Sequence, residues 1–322
     1  MARTATGRGG YLVAGLGFGV AAGVVLGVIA LGPNMPGNQS GQDETVVAEP
    51  AEESTEASAG SERDQLHIAA SDDALAQLIP DLVDGTLSGH PVLVVATDDA
   101  DRSDVDAVTW LLGAADARDA GTLTLTERFL AQDSAAELTS VIADVFPDQA
   151  SGQSAEDAPN PGAQAGEAFG TALMLDPETG EQQSGIEERA QLLQSLREAG
   201  FIDYEDGTIL PAQVIVVITG GDDGSTDGAF AARTLASFTA AVDGRGAGAV
   251  LAGRLAAAGE QGPIGLVRAQ DAYADNITTV DSVDLEVGRG AAVLGVAEQL
   301  AGEAGAYGAA EEARAPLPEP PA

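Results

Sequence analysis

The chain has 322 residues, 51 of them Asp or Glu against 14 basic residues, a formal net charge of −37 and no Cys. Every basic residue is Arg. This charge excludes a nucleic-acid face, which needs clustered Lys and Arg. Missing thiols exclude disulfides and Cys-based metal centres, and missing ammonium groups exclude Schiff-base and P-loop chemistry. With His67 and His90 as the only imidazoles, composition argues against an enzyme, and no cofactor is expected.

In chain order, Tyr11 to Leu31 comes first, 21 residues without a charge, about the length that crosses a hydrocarbon core as a helix. Arg3 and Arg8 precede it and acidic residues follow. The positive-inside rule therefore places residues 1–10 in the cytoplasm and the main domain outside it. The run is longer than the roughly 7–15 residues of a secretory h-region, which favours an uncleaved membrane anchor. A signal peptide cut at the small-residue site Val28-Ile29-Ala30 is the alternative. Gly15, Gly19, Gly23 and Gly27 recur every four residues, a spacing that puts them near one helix face where a second backbone can approach. With 41 glycines in the chain the spacing also arises by chance, so homo-oligomerisation through the anchor is one of two readings.

Residues 32–70 form a Ser-, Glu-, Ala- and Pro-rich acidic stretch with almost no apolar periodicity, expected to be a disordered tether. From Ser71 the pattern changes. Leu75, Leu78, Ile79 and Leu82 mark one helix face, and Pro91 to Thr97 is an apolar run suited to a buried parallel strand. Ser103 reads as the N-cap of a helix carrying Val105, Val108, Leu111 and Leu112 inward. Thr122 to Thr126 alternates as a strand, and Ser134 with Glu137 forms a capping-box pattern before Leu138, Val141, Ile142 and Val145. The stretch 147–163 reads as a surface connector, and Ala168 to Leu175 as a short packing helix. Ile186 to Ala199 is a helix stopped by Gly200, Gln213 to Thr219 a second buried strand, and Ala229 to Val242 the helix after it. Gly248 to Ala252 and Asn276 to Val280 are weaker strands, Leu285 to Ala304 a closing helix, and 309–322 an unstructured tail.

Val92 to Asp104 and Val214 to Asp227 both run from strand to an Asp-Asp pair to a helix start. The expected fold is α/β: a parallel-sheet, Rossmann-like extracytoplasmic domain of two similar halves, about 71–146 and 164–308, preceded by one transmembrane helix.

Candidate chemistry sits after the two strong strands. Asp98, Asp99, Asp101, Asp104 and Asp106 crowd the end of the first, where α/β sheets bind ligands. Asp98, Asp99 and Asp101, with Asp222 and Asp223 after the second strand, are weak candidates for a hard-cation site. The alternative is that Asp favours helix N-termini with no ligand at all. Gly220-Gly221-Asp222-Asp223-Gly224 lacks the G-x-G-x-x-G spacing, and its carboxylates repel phosphate. Met1, Met35 and Met174 are scattered, so no soft-metal motif exists.

Three stretches resemble one family, the actinobacterial copper-transport outer-membrane proteins of the MctB type. They are Ala74 to Val95 (ALAQLIPDLVDGTLSGHPVLVV), Gly121 to Leu130 (GTLTLTERFL), and Thr278 to Arg289 (TTVDSVDLEVGR) followed by an apolar helix ending near Ala306-Tyr307-Gly308. The resemblance implies a cell-envelope membrane protein of copper homeostasis, with copper ion as partner and a channel that removes copper as the proposed activity. It supplies no copper ligands. Family members follow the anchor with a heptad-patterned coiled coil, whereas this chain has the acidic stretch there. The reading from another class is a membrane-tethered extracytoplasmic scaffold or ligand-binding module without transport activity.

Overall fold

A computed structural model describes residues 52–147, 160–220 and 226–320, with the side chains of 52–64 and 226–227 outside the description. The chain divides into two compact units, Met1–Ser58 and Ala59–Ala322, and of the first only 52–58 fall among the described residues, all helical. In order, the elements are α1 (Glu52–Val83), β1 (Pro91–Thr97), α2 (Arg102–Ala114), β2 (Arg118–Leu125), α3 (Glu127–Leu130), α4 (Ala135–Val145), α5 (Pro161–Leu173), α6 (Ile186–Glu198), β3 (Ile202–Tyr204), β4 (Val214–Thr219), α7 (Thr226–Asp243), β5 (Gly248–Gly253), α8 (Pro263–Arg268), α9 (Asp271–Ala274), β6 (Thr278–Val280), α10 (Glu286–Leu300) and β7 (Ala306–Tyr307).

The strands form one mixed, mostly parallel seven-stranded sheet in the order β3-β2-β1-β4-β5-β6-β7. Every pairing is parallel except β2 with β3. β1 and β4 are buried along their whole length, which is why both read as unbroken apolar runs rather than alternating ones. Successive side chains still point to opposite faces. Leu93, Val95, Ile215 and Val217 enter a core closed by α3 to α8, and Val92, Val94, Val214 and Val216 enter a second core closed by the end of α1, α2 and α10. In the first core Phe129, Phe169 and Phe238 meet edge to face, with centroids 5.2 to 6.0 Å apart. Aromatic quadrupoles favour that arrangement.

The closest packing in this layer is between α5 and α7, and it depends on glycine. A Cβ on Gly162 would lie 2.0 Å from the Thr234 carbonyl oxygen, one on Gly166 2.4 Å from that of Phe238, and one on Gly170 2.5 Å from the Arg245 side chain. Glycine every fourth residue thus makes a flat seam on which the α7 backbone rests.

Several expectations are corrected. The stretch 32–70 is not a disordered tether throughout: from Glu52 it is the helix α1. Ala, Glu, Gln and Leu all have high helix propensity, and Ile79 and Val83 bury the last turns in the second core. The connector 147–163 already becomes helix at Pro161, capped by Asn160, whose side chain accepts from Gly162 N–H at 3.0 Å. Residues 309–320 are not loose. Gly308 N–H donates to Ala315 O, Arg314 N–H donates to Ala306 O, and Ala315 and Leu317 pack on the second core. The two halves are not separate blocks either, because β3, from the second, pairs with the outer edge of β2, from the first. Asp101, not Ser103, caps α2, and Ser134 makes no capping bond, donating instead to the Arg128 carbonyl at 2.6 Å. Residues 1–10, the expected span 11–31 with Gly15, Gly19, Gly23 and Gly27, and 32–51 lie outside the described residues. Among the described residues no helix is long and apolar enough to cross a membrane.

Candidate functional site

From β1 the strand order runs outward through β2 on one side and β4 on the other. Open α/β sheets bind ligands at the carboxyl ends of such diverging strands. Here Asp98 and Asp99 leave β1, Glu127 follows β2, and Gly220 leaves β4. A cleft of about 940 Å³ opens at this point. Asp98, Asp99, Glu127 and Asp133 supply its acidic side, and Leu130, Ala232, Leu235 and Pro263 its apolar wall. Gly220 is there for backbone clearance, since a Cβ would sit 2.1 Å from the Asp99 carbonyl oxygen. That contact, rather than phosphate binding, accounts for the first glycine of the Gly-Gly-Asp-Asp sequence.

The candidate aspartates have different fates. Asp98 and Asp99 reach the cleft, with Asp99 accepting from the Thr97 hydroxyl. Asp101 turns away. It accepts from Ser103 N–H at 2.9 Å and Ser103 Oγ at 2.7 Å and pairs with Arg254 at 2.8 Å. The Ser103 hydroxyl and amide, then the Arg254 guanidinium, hold its carboxyl below the usual carboxylate range. Asp104 is buried between two arginines, with Arg254 Nε at 2.8 Å and Arg289 Nη2 at 3.2 Å. It ties α2 to the loop after β5 and to α10. Asp222 and Asp223 lie outside the described residues. Among the described residues no group of three or more His, Asp or Glu could hold a metal ion. Glu127 and Asp133 were not legible as site residues, and their only signal was that they follow a strand end.

The remaining candidates do not line this cleft. His67 is exposed on α1, and His90 Nδ1 lies 2.7 Å from Gln213 Oε1. Met174 is buried in the first core. A second buried ion pair joins Arg268 to Asp281 at 2.7 Å, with side chains 7% and 0% exposed. Arg268 also donates to Thr279 Oγ1 and the Tyr307 carbonyl, both at 2.9 Å. Asp281 Oδ1 accepts from Ala309 and Ala310 N–H at 2.6 and 3.1 Å. These bonds satisfy both buried charges and pin the residues after β7. Tyr307 donates to Glu298 at 2.5 Å, and burial followed by that acceptor pushes its hydroxyl above the ordinary range.

The family described as copper transport outer membrane protein, MctB, matches residues 12–318. The chain belongs to this family. Among its relatives, copper transporter MctB of Mycobacterium tuberculosis (strain ATCC 25618 / H37Rv) is 33% identical over 252 residues, covering 77% of this chain and 79% of the relative. Copper transporter MctB of Mycobacterium leprae (strain TN) is 34% identical over 241 residues, 72% of this chain and 74% of the relative. In this MctB-family chain, the stretches that carried the likeness mostly build the scaffold. Val92 to Val95, Leu123, Leu125, Phe129 and Val280 fill the cores, Asp281 forms a buried ion pair with Arg268, and the half-buried Arg289 pairs with the buried Asp104. Glu127 and Leu130 are the exceptions, both on the cleft.

Proposed function

We propose that the chain serves copper homeostasis in the cell envelope, acting on copper by passage or partnership rather than by tight storage. The observation that carries this reading is membership of the copper transport outer membrane protein family. In this reading the span 11–31 anchors the chain in an envelope membrane, with the N-terminus cytoplasmic and the α/β domain outside. The net charge of −37 favours cations near the protein. Donor chemistry supports passage over storage, because Cu(I) prefers thiolate, thioether and imidazole ligands. The chain has no Cys, and His67, His90 and Met174 lie on separate elements. The described strands form an open sheet covered by helices on both faces, so a channel for copper efflux would be made by the anchor or by an assembly. Gly15, Gly19, Gly23 and Gly27 would then be where copies of the anchor meet. The lack of Lys and Cys and the contact of His90 with Gln213 support a non-catalytic role.

Copper accumulation in a deletion strain, with and without the restored gene, tests the reading. Excess copper in the deletion that returns to normal on restoration is expected, and unchanged copper would refute it. Titrating the full chain with Cu(I) against a competing chelator tests the mode, with copper expected to stay on the chelator. The cleft favours a second reading, a tethered ligand-binding module without transport activity.

A further inference from the structure

Cleft chemistry defines a ligand class that the copper reading does not touch. Asp98, Glu127 and Asp133 face a volume of about 940 Å³, the size range that encloses a drug-sized molecule. Among the described residues their carboxylates have no hydrogen-bond or ion-pair partner. Among the described residues no arginine lines the cleft. Arg128, next to Glu127, is paired with Glu137, and Arg254 and Arg289 are spent on Asp101, Asp104 and Glu286. The opposite wall is aliphatic, with Leu235 and Ala232 buried and Leu130 partly so. One side therefore presents clustered negative charge and the other offers apolar surface, with Gln132 and Thr219 as the uncharged polar side chains of the lining. An anion is repelled here, and a small hydrated metal ion would leave the apolar wall unused.

We propose that this cleft binds an organic cation, a protonated amine carried on an apolar body, with the ammonium toward Asp98, Glu127 and Asp133 and the body against Ala232, Leu235 and Pro263. Two or three such exposed charge contacts together correspond to about tenfold in affinity over a neutral isostere. The charged part of the preference weakens as salt shortens the Debye length.

The test uses the full chain in phosphatidylcholine nanodiscs, with empty nanodiscs subtracted for lipid partitioning. Calorimetric titrations compare 4-phenylbutylamine, 4-phenylbutanol and 4-phenylbutyrate. The amine should bind about tenfold tighter than the alcohol, and the carboxylate should show no heat. In the triple variant Asp98→Asn, Glu127→Gln, Asp133→Asn, all at exposed positions, the amine's advantage should fall to about twofold or less. Ala231→Trp, which fills the cleft from its partly exposed wall, should abolish binding of both amine and alcohol. A circular-dichroism melt of each variant checks that it is folded. No amine binding, no preference over the alcohol, or a preference that survives in the folded triple variant overturns the proposal. A copper phenotype alone does not bear on it.

Discussion

Replacing Asp243 by Asn should stabilise the protein at pH 8 and leave it unchanged near pH 3. Asp243 ends α7 and faces a cavity of about 310 Å³ at the amino end of the sheet, shared with Asp275 and Glu303. Burial pushes its carboxyl from 3.8 up to about 7, and the bond from Ala249 N–H only partly opposes this. A carboxylate at a helix C-terminus is also disfavoured by the macrodipole. Because the folded value is raised, the folded chain holds this proton more tightly than the unfolded one. The stability contribution is present below about pH 4 and is lost progressively as pH rises through 7. Going from 3.8 to about 7 corresponds to at most about 4 kcal/mol. Asp243 keeps some solvent contact, which roughly halves that figure to about 2 kcal/mol. Asn keeps an oxygen to accept from Ala249 and carries no charge. At pH 8 the variant should melt roughly 4–8 °C higher. Melting both proteins from pH 3 to 8.5 gives a difference curve in which the other carboxylates cancel. An increment that does not grow with pH, or a variant less stable at pH 8, would refute the assignment of the strain to this carboxylate.

Four further outcomes are expected, three from the packing and one from the topology. Gly166→Ala gains helix propensity but drives a methyl into the Phe238 carbonyl, so denaturant titration should register a net loss of about 1–3 kcal/mol. Phe238→Ala removes the ring shared by Phe129 and Phe169 and should cost about 3–5 kcal/mol by the same measurement. Asp281→Ala strands the Arg268 charge and releases Ala309 and Ala310. It should cost about 3–5 kcal/mol and make trypsin cleave after Arg314 faster than in the parent, read by mass spectrometry. A reporter active only in the cytoplasm should stay silent when fused after Ala322. That junction is preferable to one after Gly308, because residues up to Leu317 pack on the core, and strong activity there would reverse the topology.

Local signals in the chain located the main elements. The runs at 91–97 and 214–219 are strands because both faces of the sheet are covered, so every position along them had to be apolar. The i, i+3, i+4 pattern located the helices around Val108, Ile142 and Leu294. Composition fixed the absence of thiols and ammonium groups without any fold. Where local reading misjudged, a long-range contact was the cause. Low apolar content hid the first part of α1, 52–70, whose helix is secured by its last turns in the second core, and the Pro-rich end looked free because nothing nearby in sequence shows that Asp281 holds it.

The fate of the aspartates was decided wholly by tertiary structure. Asp99 and Asp101 are two positions apart, yet one faces the cleft and the other is bound by Arg254. Asp104 meets Arg254 and Arg289 across 150 and 185 residues of chain. Glu127 and Asp133 join Asp98 only because β1 and β2 lie side by side and end at the same edge. The glycine seam of α5 likewise has meaning only once the α7 backbone rests on it. Hydrophobic periodicity is a property of one segment and can be read there. Charge pairing and close backbone approach are properties of two segments, and only the folded chain brings the second one into place.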